Sequence, residues 1–165
     1  MGQIVNNKKK QNGFTIIEVV LVLAIAGLIF MMVFIALPAL QRSQRDMQRK
    51  NDLSRFQTAL ASYSSNNRNA IPDGMDETVS TSWKSFVRRY ITLDGVDSFT
   101  DPSGTAYDVR TEGSLPTIFD ASTPIILVTN SATCDGEGLK TEGQSIRKVA
   151  FQMKLEGSGI ACANN

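Results

Sequence analysis

Between Val19 and Leu40 the chain runs 22 consecutive residues without a formal charge, VVLVLAIAGLIFMMVFIALPAL. As a helix rising 1.5 Å per residue, this run spans about 33 Å, enough to cross the hydrocarbon core of a bilayer. A helix apolar on every side can be buried only inside a large protein, and the 125 residues that follow cannot build one. A removable secretory signal fits poorly too, because the run is too long for an h-region and no small-x-small cleavage site follows it. Instead Pro38-Ala39-Leu40 leads into Gln41-Arg42-Ser43-Gln44-Arg45-Asp46-Met47, a polar, helix-compatible sequence. The anchor is therefore expected to be retained.

Composition narrows the chemistry. The chain has no histidine, so Ser-His-Asp and Cys-His sites, HExxH zinc sites and His-ligated haem are all excluded. Lys+Arg is 17 against Asp+Glu 16, a net charge of +1 that gives no overall basicity for nucleic acid. No Gly-rich phosphate loop and no CxxC occurs. Asp94, Asp97 and Asp101 approach a calcium-loop composition but miss the EF-hand spacing. No catalytic residue, resident metal or cofactor is expected, and the chain does not read as an enzyme.

Glu18 lies at the start of the apolar segment. A carboxylate at bilayer depth costs several kcal/mol unless neutralised or paired, so such an acid is a functional hypothesis; the alternative is a place at the headgroup level. Arg42, Arg45, Arg49 and Lys50 on one flank nearly balance Lys8, Lys9 and Lys10 on the other, so the positive-inside count hardly separates the two orientations.

The segment Lys8-Lys9-Lys10-Gln11-Asn12-Gly13-Phe14-Thr15-Ile16-Ile17-Glu18, followed by the apolar run, resembles the class III signal of type IV prepilins and related pseudopilins. The close resemblance extends from Lys8 to roughly Arg42. It implies that prepilin peptidase cuts between Gly13 and Phe14 on the cytoplasmic side and methylates the new amine of Phe14. Gly13 suits a protease cleft because it carries no side chain to obstruct an extended backbone. The resemblance further implies that the Phe14 amine of one subunit pairs with Glu18 of a neighbour during assembly. Gly27 and Pro38 would weaken the helix between them, although Pro38 falls about three residues later than in the family pattern.

The layout so implied is α+β, the pilin fold: a long N-terminal helical spine, its first half transmembrane, with a C-terminal antiparallel β-sheet packed on its upper half. Residues 1–13 would be a cleaved cytoplasmic leader, 14–40 the transmembrane and assembly helix, 41–69 its amphipathic continuation and 70–165 the head domain. The function implied is that of a structural subunit of a type IV pilus filament, serving adhesion, motility or DNA uptake. Alternatives are a pseudopilin of a type II secretion or competence system, or a minor tip adhesin on the same anchor. Its partners would be copies of itself in a helical filament, the prepilin peptidase, the assembly platform and its ATPase, the membrane before assembly, and a DNA or cell-surface ligand. Localisation would pass from the bacterial cytoplasmic membrane to the extracellular filament.

The remaining residues can be read for structure. No Pro or Gly interrupts 41–66, charges recur at helical spacing in Arg42 with Asp46 and Asp46 with Lys50, and Leu53, Phe56, Leu60 and Tyr63 share one face. Ser80-Thr81-Ser82 precedes a short amphipathic helix carrying Trp83, Phe86, Val87, Tyr90 and Ile91. Asp101-Pro102-Ser103-Gly104 has type I turn composition and, with Tyr107, is similar to a DPxGxxY pattern found where the pilin and pseudopilin sheet begins. Strands are expected at 106–109, 124–129, 148–156 and 160–162. The basic residues Arg42, Arg45, Arg49, Lys50 and Arg55 read either as a solvated helix face or as an intersubunit or DNA-contacting strip.

Cys134 and Cys162 could close a loop of about 29 residues in an oxidising compartment, worth about 3–4 kcal/mol, or stand as free thiols or half of a metal site. The resemblance implies the disulfide-bounded loop of pilins.

Overall fold

A computed structural model describes residues 13–165; the basic leader, with Lys8, Lys9 and Lys10, lies outside the described residues. One helix, α1 (Ile16–Asn66), runs without a break through Gly27 and Pro38. The chain divides into two compact units at Leu40/Gln41.

In the first unit no residue from 14 to 40 is buried, and the helix is long and apolar enough to cross a membrane. Pro38 lacks the amide that would bond the Phe34 carbonyl, and a lipid-embedded helix tolerates such a gap where neighbouring groups or water re-satisfy it.

The second unit is built on the amphipathic part of α1. Leu53, Phe56, Leu60 and Tyr63, spaced three, four and three residues apart, are all buried and form the helix side of the core. Phe56 lies at its centre, with ring centroids of Phe151 at 4.9 Å and Phe86 at 5.3 Å, both edge-on. The chain leaves the helix at Asn66, where Arg68 and Asn69 adopt left-handed φ values of 55° and 60° and the Asn69 amide bonds the Ser64 carbonyl.

Helix α2 (Trp83–Phe86) starts at Ser82, whose hydroxyl accepts from the Ser85 amide, and continues as a π-helical turn, Val87–Ile91. This places Trp83, Phe86 and Ile91 in the core. The Trp83 Nε1–H is buried without a hydrogen-bond partner.

The sheet has the order β1-β2-β5-β6, with β1 (Asp108–Arg110), β2 (Ile125–Asn130), β5 (Val149–Lys154) and β6 (Ile160–Asn164). Its β2–β5 and β5–β6 pairs are antiparallel, whereas β1 runs parallel to β2. A tight hairpin would force antiparallel pairing; residues 111–124 are long enough to carry the chain back before β2 begins. Val149, Phe151 and Met153 point into the core as their alternation requires, but Ala150 and Gln152 on the other face are buried as well. A two-stranded hairpin, β3 (Thr133–Asp135) and β4 (Gly138–Lys140), accounts for this, with Gln152 donating to the Glu137 carbonyl at 2.7 Å.

Candidate functional site

Two constellations carry the chemistry, one in each unit. At the start of α1, Thr15 precedes the first helical residue and Glu18 stands three positions on, the order of a capping box. The Thr15 hydroxyl lies 3.5 Å from Glu18 Oε2, at the outer limit of a hydrogen bond, and the Glu18 amide bonds the Thr15 carbonyl at 3.1 Å. A helix start leaves its first amides without internal acceptors and favours an acid there. The Thr-x-x-Glu spacing is itself a sequence signal for a helix start. Phe14, 85 % exposed, lies just outside the helix, and Gly13 precedes it, exposed and outside any helix or strand.

The second constellation is centred on Arg49, whose side chain is fully buried. Its guanidinium makes a two-pronged contact with Asp101, Nε to Oδ2 at 2.6 Å and Nη2 to Oδ1 at 2.9 Å. Nη1 reaches Asp46 Oδ1 at 2.8 Å and Glu156 Oε2 at 3.4 Å. The Phe119 ring covers it, with its centroid 4.0 Å from the central carbon. Asp46 in turn accepts the amides of Glu156 and Gly157 at 2.9 and 2.8 Å. A Cβ at position 157 would come within 3.0 Å of Asp46 Oδ2, so this close approach favours glycine. Glu156 also receives Arg45 at 2.6 and 2.8 Å and faces the more exposed Arg42 at 3.7 Å.

The electrostatics follow from this geometry. Burial alone would lower the Arg49 pKa, but the bonds to Asp101 and Asp46 outweigh it and raise it, so the cation is permanent. Burial likewise pushes the Asp101 carboxyl up, yet Arg49 and Ser103 more than offset it and hold it below its usual value. The hydrogen bond from Arg45 holds the Glu156 carboxyl down. Asp101 adopts its place because the Asp-Pro-Ser-Gly turn forms: the Gly104 amide bonds its carbonyl, and the Ser103 amide bonds its side chain.

These contacts correct two readings of the sequence. The reading of a solvated face holds for Lys50, which is exposed, but not for the arginines: Arg42, Arg45 and Arg49 converge on Glu156, and Arg55 bonds Asp97 at 2.6 Å. Asp46 pairs with Arg49 three residues on, rather than with Arg42 or Lys50 four residues away. Asp97 and Asp101 are thus occupied by arginines, and among the described residues no group of three or more metal-ligating side chains gathers.

Cys134 on β3 and Cys162 on β6 are joined in a disulfide, with Cα atoms 5.9 Å apart. Gly27 and Pro38 lie within the exposed part of α1, and a Cβ at Gly27 meets nothing within 4 Å.

Residues 8–34 match the family model described as the prokaryotic N-terminal methylation motif. The chain carries the class III signal of type IV pilin-like proteins. No curated protein and no solved structure matches it significantly. The family is structural rather than enzymatic, and its signal fits membrane anchoring before assembly and processing by prepilin peptidase. The signal spans both the basic leader and the first turns of α1, so Gly13, Phe14 and Glu18 all fall inside it.

Proposed function

We propose that the chain is a structural subunit of a type IV pilus filament, made as a membrane-anchored prepilin and polymerised through α1 after cleavage between Gly13 and Phe14. The observation that carries this reading is the methylation motif at residues 8–34 continuing into an apolar helix with no buried residue from 14 to 40. Such a surface needs lipid or the same surface of other subunits around it.

Cleavage unmasks an amine on Phe14 at a helix end whose dipole is already positive. In a low-dielectric bundle that cation requires an anion, and Glu18 of an adjoining subunit meets the need at one axial register only, which makes growth directional. The Thr15–Glu18 contact is long, so the carboxylate can change partner at small cost.

Gly27 and Pro38 act in this scheme as points where α1 gives way during packing. The disulfide-bounded loop at Cys134–Cys162 favours a pilin over a secretion or competence pseudopilin. Adhesion, motility and DNA uptake are the roles such a filament serves, with the assembly platform and its ATPase as partners and a tip adhesin as the alternative use of the anchor.

The test is shearing of cells followed by N-terminal sequencing of the released protein, which should begin at a methylated Phe14. Glu18→Ala should be processed normally yet yield no filaments. Filaments at wild-type density from the Glu18→Ala strain, or released protein that retains Met1, would refute the reading.

A further inference from the structure

An aspartate followed by glycine is prone to react with its own backbone, because glycine puts no side chain in the way when its amide nitrogen approaches the preceding carboxyl carbon. The chain holds three such pairs, Asp73-Gly74, Asp94-Gly95 and Asp135-Gly136, and all six residues are exposed. Sequence and exposure do not separate them. Their hydrogen bonds do.

Ring closure needs the glycine amide, the aspartate carbonyl and the aspartate carboxyl all free to move. At Asp94-Gly95 the Gly95 amide bonds the Thr92 carbonyl at 2.9 Å, and the Asp94 carboxylate faces Arg88 at 3.6 Å. At Asp135-Gly136 the aspartate pairs with Gly138 in the β3–β4 ladder, directly after the disulfide-bonded Cys134. A laddered backbone opens less often than a loop. Asp73-Gly74 lies in no helix or strand, and neither its carboxylate nor the Gly74 amide has a hydrogen bond or salt bridge among the described residues. The two bonds that do hold the pair run from the Asp73 amide to the Thr81 carbonyl at 2.8 Å and from the Trp83 amide to the Gly74 carbonyl at 3.0 Å. Both use atoms outside the ring.

From this contrast we infer that Asp73-Gly74 is a site of spontaneous covalent modification, at which the aspartate isomerises to a β-linked isoaspartate. The Gly74 nitrogen forms a bond to the carbon of the protonated Asp73 carboxyl, whose hydroxyl leaves as water with the amide proton. The product is a five-membered cyclic imide. Water then adds to the former main-chain carbonyl of Asp73, and the bond from that carbon to the Gly74 nitrogen breaks. The chain now runs through the side chain of residue 73, with a free α-carboxylate beside it. One water is lost and one regained, so mass is unchanged and no oxidant or cofactor takes part.

The consequence reaches the core. Helix α2 begins at Trp83, a fully buried residue stacked on Phe56, and the amide of Trp83 has the Gly74 carbonyl as its acceptor. One extra methylene between Asp73 and Gly74 moves that carbonyl away and leaves the first amide of α2 without a partner. The reaction needs no second subunit.

The test ages the full chain in nonionic detergent at mildly alkaline pH and maps each aspartate linkage by peptide digestion and electron-transfer fragmentation. Isoaspartate should build up severalfold faster at Asp73 than at Asp94 or Asp135. In guanidinium with the disulfide reduced, the three sites should react at similar rates, because the fold no longer shields two of them. Asp73→Glu, which would require a six-membered ring, should stop the reaction at that position. Ageing should also lower the melting temperature, followed by Trp83 fluorescence, by more in wild type than in Asp73→Glu. Absence of isoaspartate at Asp73, equal rates at the three folded sites, or the same ranking in the unfolded chain would overturn the inference. An unchanged melting temperature in chains that carry isoaspartate at position 73 would overturn the link to Trp83.

Discussion

Arg49 and Asp101, 52 positions apart, meet through two hydrogen bonds of 2.6 and 2.9 Å with neither side chain exposed to solvent. The pair fastens the helix to the turn that precedes the sheet. Its energetic weight lies in what removal of one partner leaves behind, since a buried charge without its counter-ion costs about 3–5 kcal/mol. Arg49→Ala is expected to lower the stability of the head domain by that order, strongly depressing the thermal transition. Arg49→Lys should recover part of the loss, because an ammonium keeps the charge but cannot span both Asp101 oxygens. Denaturant titration of the detergent-solubilised chain, followed by the fluorescence of Trp83, ranks the three proteins.

Acidification should loosen the same cluster. Asp101 and Glu156 titrate lower in the folded chain than the ordinary carboxyl value of about 4. Their stabilisation is complete above that value and disappears as pH falls through the folded values. Asp52 has the opposite sign: burial raises its pKa beyond what the Tyr107 hydroxyl and Arg55 recover. Its ionisation therefore burdens the fold at neutral pH and is relieved in acid. Melting temperatures recorded from pH 7 to pH 3 should fall less steeply in Asp101→Asn, from a lower start. Asp52→Asn should melt above wild type at pH 7, with the gain vanishing at pH 3.

Reduction of Cys134–Cys162 should act locally before it acts globally. The bond ties the β3–β4 hairpin to β6, and a lone two-stranded hairpin is marginal in water. Loop-closure entropy puts the loss at about 3–4 kcal/mol. Hydrogen exchange at Cys134 and Leu139 should accelerate well before exchange at Phe151, and uniform acceleration of all three would contradict this.

Gly27→Ala separates the properties of the single chain from those of the filament. Alanine fits without a clash at that position and gains about 1 kcal/mol in helix propensity. Anchoring and processing should be unchanged, whereas filament yield should drop if α1 must give way there. Equal filament counts by electron microscopy would show that Gly27 has no part in packing.

Periodicity made much of this fold legible. The stripe Leu53, Phe56, Leu60, Tyr63 and the alternation Val149, Phe151, Met153 both turned out to be buried faces, because burial is what imposes those periods. Period says nothing about which distant acid an arginine meets, so the Arg49 cluster looked like a solvated strip until Asp101 and Glu156 were brought beside it. The β3–β4 hairpin did carry a signal, Gly136-Glu137 between Asp135 and Gly138, in the form of a two-residue turn that opens on glycine. Its strands of three residues were too short to show a period. The parallel β1 was hidden for a different reason, since pairing direction depends on the path of residues 111–124 and not on the composition of the strand.

Asp46 grips the main chain of the β5–β6 turn through two amides, while its neighbours on the helix grip the side chain of Glu156. Tension applied lengthwise to this part of α1 is therefore handed to the sheet as shear across several short ionic links acting together.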